Sequence, residues 1–448
     1  MKKILQIILK SLSKATIRKY KPGIIGITGS VGKTSTKEAI FAVLKNKFRV
    51  RRAVGSFNTE EGLSIAILGD WSEEQVKIVS KFGPSGKKFQ KLFFWLGIIF
   101  SGFLKLIFLP KSLYPEILIL EYGSDRPGDI DKLSNFVRPQ IGVVTAVGEI
   151  PVHVEFYSGP EEVAKEKSKL VKALPPRGLA VLNFDDNAVL RMKDATIAET
   201  ITYGFGEGAM IRASDVSYFI DPERSREGPQ RASASYGVDS GNDVAGGLSF
   251  KVNFDKNVVP FRLASALGKH QIYAALAAAA VGIRYKMNLV EISQALEKME
   301  FPKQRMNLVK GMKNSIIIDD SYNASPLSMH AALDALKEFG DKAILKRASG
   351  RKIAVLGDMK ELGIFTEKAH QLVGNLAGER ADYLFTVGLA AKFIADSAYN
   401  QMPKENIISF NDSAEAGEYL KGFIGEGDII LVKGSRAMKM EKTVEALI

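Results

Sequence analysis

The chain has 448 residues, 46% hydrophobic and 25% charged; at roughly 150 residues per domain this predicts about three folding units and excludes disordered, collagen-like and coiled-coil classes. It contains no cysteine, which rules out disulfides, thiolate zinc sites, iron–sulfur clusters and a catalytic thiol. Four histidines make a histidine-only metal site a poor expectation, and 62 Lys and Arg against 50 Asp and Glu leave a charge of +12, pointing to phosphates, nucleic acid or a membrane surface as partners.

Residues 1–22 carry Lys2, Lys3, Lys10, Lys14, Arg18, Lys19 and Lys21 without one acid, while Ile4, Leu5, Ile8, Leu9 and Leu12 recur at helical spacing. Lys10 breaks the apolar run and no small-residue cleavage site follows, which argues against a signal peptide. The pattern predicts a basic amphipathic helix, lying on an anionic membrane or docked on the protein's own body. A strand at 24–28 and a helix at 35–45 come next.

Residues 92–109, LFFWLGIIFSGFLKLIFL, are flanked by Lys87, Lys88 and Lys91 before and Pro110 and Lys111 after. Their length is near the lower limit for crossing a bilayer, but Lys105 lies inside. Lys33 and Glu121 on either side serve one expected nucleotide site, so a single crossing would separate them. The segment is expected to be interfacial, re-entrant or a cover for a partner or lipid, with a buried helix as the alternative.

Strands at 117–120, 142–146 and 179–183, with a helix at 161–173, continue an alternation that predicts a parallel sheet with covering helices. Residues 207–260 read as surface hairpins with an exposed loop around 221–246, and 276–281 as an alanine-rich, closely packed helix. A second alternating series has strands at 315–319, 352–356, 383–387 and 428–432 and helices near 325–339, 367–376 and 413–422. The expected fold is therefore α/β: a basic helix (1–22), a central parallel-sheet domain (23–303) with a hydrophobic insertion about 71–115, and a C-terminal Rossmann-like α/β domain (304–448); the motifs below make the central domain the ATP-binding one.

The strongest chemical signal is Ile24-Ile25-Gly26-Ile27-Thr28-Gly29-Ser30-Val31-Gly32-Lys33-Thr34-Ser35, running from a strand into a helix. Glycines let backbone N–H groups approach phosphate oxygens, the lysine reaches the β/γ-phosphates, and the Thr34 hydroxyl binds Mg²⁺. The general phosphate-loop pattern has glycine where Ile27 stands. Mg²⁺ needs further hard oxygen ligands, and Glu121 ends a strand on the same expected sheet edge. His153 follows the next strand, through Thr145-Ala146-Val147-Gly148-Glu149-Ile150-Pro151-Val152, and is either a structural residue or a ligand at that edge.

These motifs resemble those of the ATP-dependent Mur ligases, and within them the MurF type, which joins D-alanyl-D-alanine to a UDP-N-acetylmuramoyl-tripeptide. The similarity runs from about Pro22 to Ile448. It includes the phosphate loop, Glu121-Tyr122-Gly123 with Gly128-Asp129-Ile130, Thr145 to His153, Val163-Ala164-Lys165-Glu166-Lys167, Asp319-Asp320-Ser321-Tyr322-Asn323-Ala324-Ser325-Pro326, Val355-Leu356-Gly357-Asp358-Met359 with Glu361-Leu362-Gly363, and Val432-Lys433-Gly434-Ser435-Arg436. The resemblance implies that ATP phosphorylates an acceptor carboxylate and that an amine attacks the acyl phosphate. It implies ATP contacts from Gly29, Ser30, Gly32, Lys33, Thr34, Ser35, Asn58, His270, Gln271, Arg305 and Asp320. It also implies one Mg²⁺ on Thr34 and Glu121 and a second on His153 and a carbamylated Lys167; Lys33, Lys167 and His153 are the implied catalytic residues.

Where the family pattern has Asn, this chain has Gln271, Ala274 and Ser325, so the adenine contacts are altered. His330 and His370 read as ordinary helix residues. Only about twenty residues precede the first strand, so the UDP-binding domain found at the front of MurF-type enzymes is expected to be missing. The implied partners are a peptidoglycan precursor peptide, a D-Ala-D-Ala-like amine donor and a membrane surface at 1–22 and 92–109, with no nucleic acid, in a cytoplasmic protein at the inner face of the membrane. A ligase for another amino-acid chain, of the folylpolyglutamate or cyanophycin type, and a non-catalytic phosphate-loop module are the alternatives.

Overall fold

The computed structural model describes residues 2–55, 58–79, 88–220, 246–264, 266–347 and 350–448. They form two compact units interleaved along the chain: 1–147, 161–212 and 273–295 in the first, and 148–160, 213–272 and 296–448 in the second. The loop expected around 221–246 lies, up to residue 245, outside the described residues.

The first unit is built on β1 (Gly23–Thr28), β2 (Val50–Arg52), β3 (Ile117–Glu121), β4 (Ile141–Val144), β5 (Leu179–Asn183) and β6 (Glu199–Gly204). They pair in the order β2-β3-β1-β4-β5-β6, all in parallel. Every residue of β3, β4 and β5 is buried, which explains their continuous Ile, Leu and Val runs: helices cover both faces, so no alternation is possible. Strand β7 (Ile211–Ile220) starts beside β6 at Ile211 and Arg212 and leads into the second unit.

Helices α1 (Lys2–Tyr20), α2 (Lys33–Leu44), α3 (Glu60–Leu68), α4 (Glu73–Lys77), α5 (Lys88–Phe108), α6 (Asp129–Phe136), α7 (Pro160–Lys172) and α8 (Asn187–Leu190) are followed by α9 (His270–Arg284) and α10 (Leu289–Glu297). In α9 the run Ala274 to Val281 is buried throughout, as its small side chains imply. Strands β2 and β6 have no counterpart among the sequence expectations. The first is three half-buried residues and the second begins on exposed Glu199, so neither offers an apolar run to detect.

In the second unit β8 (Gly246–Phe254) and β9 (Asn257–Ala264) form an antiparallel hairpin. Its turn residues Asp255 and Lys256 both have positive φ, 45° and 66°, the conformation a tight two-residue hairpin requires. A second sheet contains β10 (Asn307–Lys310), β11 (Ile316–Asp320), β12 (Lys352–Gly357), β13 (Tyr383–Val387), β14 (Ile407–Phe410) and β15 (Ile429–Lys433), in the order β10-β11-β15-β12-β13-β14 with only β10 antiparallel. Alternate residues serve opposite faces. Ile316, Ile318, Ala354, Leu356 and Leu431 join residues of α11 (Pro326–Arg347), α12 (Thr366–Arg380) and α13 (Lys392–Ala398). Ile317, Ile353, Val355, Ile430 and Val432 join α14 (Ser413–Phe423) and α15 (Glu441–Leu447). The result is an α/β sandwich with helices on both sides.

The base of this sheet is tied by Asp428, 1% exposed. It accepts from the Arg351 backbone N–H at 2.9 Å, from Arg351 Nη2 at 2.7 Å and from Gly425 N–H at 2.8 Å. Removing a buried carboxylate leaves its donors unsatisfied. Asp428→Ala is expected to lower the unfolding free energy by about 3 kcal/mol, measured by guanidinium titration, with a smaller loss in Asp428→Asn.

Candidate active site

The turn from β1 into α2 closes on the end of β4. Ser30 N–H donates to the Ala146 carbonyl at 2.6 Å, Thr145 Oγ1 donates to the Val31 carbonyl at 2.5 Å, and Val31 bridges to Ala146. This closeness explains the first glycine: at Gly29, φ 145°, a Cβ would lie 2.0 Å from Thr145 Oγ1. Gly32, φ 88°, is the N-cap of α2, so the first-turn N–H groups of α2, with Thr34 and Ser35 on that turn, face the loop's concavity, where a phosphate is held by N–H dipoles. Lys33 folds back over the loop, its Nζ donating to the Gly29 carbonyl at 2.5 Å.

Glu121 ends β3, directly beside β1 with Ile27 as its register partner. Its side chain is 1% exposed and lies 2.8 Å from Lys37 Nζ, which also donates to the Gly55 carbonyl. Apart from that ion pair on Oε1, neither carboxylate oxygen accepts a hydrogen bond among the described residues. A buried carboxylate with unfilled lone pairs suits a hard cation, so Glu121 and the Thr34 hydroxyl fit Mg²⁺. Among the described residues no three His, Asp or Glu side chains group into a metal site; Mg²⁺ commonly completes its shell with phosphate oxygens and water. Asn58 packs against the same edge: Gly123 N–H donates to its carbonyl at 3.1 Å, and a Cβ on Gly123 would meet its Nδ2 at 2.5 Å.

Lys167 is the least expected side chain of this unit. It sits on α7 at 2% exposure, with Nζ donating to Ser124 Oγ at 2.6 Å. Burial, reinforced by the Lys33 charge and only partly offset by Asp125 and Glu166, pushes its pKa down from 10.5 to about 7. The neighbouring Glu166, 3% exposed, accepts from Ile130 N–H at the start of α6 and from Lys169. That clamp fixes the rotation of α7 and so aims Lys167 inward.

The remaining expected residues lie in the second unit. His153 has φ 66° and its Nδ1 is 2.6 Å from Glu361 Oε2, itself at φ 65°. Two left-handed non-glycine residues holding one contact mark a conformation imposed by its surroundings. At the start of α9, His270 Nδ1 and Gln271 Oε1 are buried without a hydrogen-bond partner among the described residues, while Gln271 Nε2 donates to the Arg305 carbonyl at 3.2 Å. Burial holds the His270 imidazole neutral, its pKa well below the usual value. Asp320 is held by Lys433 Nζ at 2.6 Å, and Arg305 and Arg436 both lie over the Tyr322 ring, at 4.2 and 5.3 Å. His370 is a packing residue: its Nε2 accepts from Met359 N–H.

The structure thus brings Gly29, Ser30, Gly32, Lys33, Thr34, Ser35, Asn58, Glu121 and Lys167 together within one unit, and His270, Gln271, Arg305 and Asp320 within the other. Sequence reasoning missed Lys37, Ser124, Glu166 and Lys433. Glu166 and Lys433 stand inside the motifs that carry the family resemblance, without a role assigned there, and Lys37 stands four residues after Lys33 and hence on the same face of α2.

A phosphate loop, a buried metal-suited carboxylate and a desolvated amine on one sheet edge define a nucleotide-dependent α/β protein built for charge chemistry on anions. Comparison with known proteins gives the class a family. Residues 102–282 match the Mur ligase middle domain and residues 304–436 the Mur ligase, glutamate ligase domain; the chain belongs to the Mur ligases. It is 28% identical over 441 residues to a Bacillus subtilis UDP-N-acetylmuramoyl-tripeptide–D-alanyl-D-alanine ligase, covering 98% of this chain and 79% of the relative. It is 29% identical to the Mycobacterium leprae protein of the same name, covering 98% and 77%. A crystal structure of Thermotoga maritima MurF in complex with ADP superposes with a TM-score of 0.72 at 23% identity, covering 98% of this chain and 83% of that one.

Lys37→Ala leaves Glu121 buried without its counter-charge. A loss on the order of 3 kcal/mol in unfolding free energy is expected, seen as a lower melting temperature; an unchanged melting curve would contradict the pairing.

Proposed function

We propose that this chain is an ATP-dependent amide ligase of peptidoglycan precursor synthesis, joining D-alanyl-D-alanine to the terminal carboxylate of a UDP-N-acetylmuramoyl-tripeptide. The names of its relatives support the substrates. The observation that carries the chemistry is the burial of Lys167, 2% exposed on α7 with its Nζ donating to Ser124 Oγ at 2.6 Å.

A carboxylate does not condense with an amine because it has no leaving group. In the proposed reaction one carboxylate oxygen attacks the γ-phosphorus of ATP, the bond to the β-phosphate oxygen breaks, and ADP leaves. The amine then forms a C–N bond at the carbonyl carbon, the C–O bond to phosphate breaks, and the amine's proton is lost. The first step brings anions together, so positioning and charge neutralisation dominate.

The loop N–H groups and Lys33 hold the phosphates in this reading. Thr34 and Glu121 would hold Mg²⁺, which when bound would neutralise phosphate charge. Asn58 sits beside them. His270, Gln271, Arg305 and Asp320 are the proposed nucleotide contacts of the second unit, with the free acceptor of Gln271 suited to an exocyclic amine. Lys167 is proposed to act as its carbamate. Burial lowers its pKa and so favours the neutral amine, which is the form that adds to CO₂. Carbamylation replaces a cation with an anion and gives the site a second metal-binding carboxylate-like group. By the family resemblance His153, whose Nδ1 lies 2.6 Å from Glu361 Oε2, is proposed as a ligand of a second ion.

Phosphate release from ATP by the purified chain tests the reading, with UDP-linked and lipid-linked muramyl peptides supplied in parallel. Turnover should require both acceptor and D-alanyl-D-alanine, and Lys33→Ala should lower kcat by about 100-fold or more. Equal phosphate release with and without acceptor would overturn the ligase reading.

A further inference from the structure

Helix α5 leaves nine large apolar side chains in solvent: Phe89, Leu92, Phe93, Leu96, Phe100, Phe103, Leu104, Ile107 and Phe108, with exposures from 36% to 78%. Their spacing of three, four and seven residues makes one stripe along the helix. Scattered exposed hydrophobics are ordinary; a continuous stripe about 30 Å long is an interaction surface. The opposite face of α5 is attached to the body of its unit. Ile98 is fully buried in a cluster with Leu9, Ile65 and Leu68. Lys105 Nζ donates to the Leu68 carbonyl at 3.1 Å, and Lys19 Nζ donates to the Leu106 carbonyl at 2.7 Å. Gly102 lies against Leu12, where a Cβ would be 2.7 Å from Leu12 Cδ2.

Two observations separate lying on a bilayer from crossing one. The polar anchors just named, two lysine ammonium groups on main-chain carbonyls, would have to be broken to free the helix. And β1 and β3, the strands before and after α5, are hydrogen-bonded neighbours in one sheet, whereas α5 is the only helix among the described residues long and apolar enough to cross. One crossing would put paired strands on opposite sides of the membrane.

The charge of the layer selects the occupant. Helices α1 and α5 together contain nine Lys or Arg and not one Asp or Glu. Among the described residues Lys3, Lys14, Arg18, Lys21, Lys91 and Lys111 have no ion-pair partner. Helix α1 adds Ile4, Ile7 and Ile8 at 63%, 64% and 41% exposure. Protein–protein interface cores are depleted in Lys; apolar faces bordered by Lys and Arg are the signature of anionic lipid surfaces.

We propose that the α1–α5 layer docks flat on an anionic phospholipid bilayer, inserting the α5 stripe among the acyl chains while Lys3, Lys14, Arg18 and Lys91, with Lys21 and Lys111 beside them, meet the headgroups. The test is flotation of the full chain with phosphatidylcholine vesicles, with and without phosphatidylglycerol, alongside its oligomeric state in solution. Binding is expected only to the phosphatidylglycerol vesicles, weakening as salt rises. Lys14→Gln with Lys91→Gln should weaken it roughly 30-fold. Phe93→Glu with Phe100→Glu should abolish it, leaving the melting temperature and soluble-substrate turnover unchanged. The proposal is overturned if the chain floats with neither vesicle, if the Phe pair floats as well as the parent, or if the parent is a stable dimer that the Phe pair dissociates.

Discussion

The candidate site depends on keeping one amine out of water next to a second cation. An exposed lysine would stay protonated and turn outward. Lys167 cannot, because α7 buries it and Glu166 ties that helix to the start of α6. Desolvation and repulsion from Lys33 act in the same direction, and both lower its affinity for a proton. The nearby Glu121–Lys37 pair is arranged the opposite way, with opposite charges buried together and carboxylate lone pairs left over. One location therefore favours the neutral amine, and the other keeps a buried carboxylate whose remaining lone pairs suit a hard cation, the kind of group that offsets the repulsion between phosphate and carboxylate anions.

The first sheet places these groups without long-range adjustment. Strands β1, β3 and β4 run parallel and adjacent, so the phosphate loop, Glu121 and Thr145 emerge at one edge. Topology thus converts separations of more than a hundred residues in sequence into hydrogen-bonding distance, as between Thr145 and Val31. The same adjacency constrains the apolar helix between β1 and β3, since any account of α5 has to leave both strands on one side of a membrane.

Much of the fold is legible in the sequence because central parallel strands are uniformly apolar and stand out between helices. The phosphate loop, Glu121 and the second α/β sheet belong to this legible part. Four strands are not: β2, β10 and β14, at sheet edges, and β6 have short or mixed runs and depend on a neighbour already in place. Lys167 is not legible from its residues either, since it stands among Lys165, Lys169 and Lys172 on a helix that reads as solvated; only family resemblance marks it. Lys37 and Lys433 show the same limit, because burial of a lysine is decided by the carboxylate that tertiary structure brings to it, Glu121 and Asp320 respectively.

Carbon-13 NMR of the full chain in ¹³C-bicarbonate near neutral pH is the most direct measurement of the central claim. A carbamate carbonyl resonance is predicted for the parent protein, fading as pH falls below about 7 and absent from Lys167→Gln. No such resonance in the parent, or one that survives the substitution, would contradict the account.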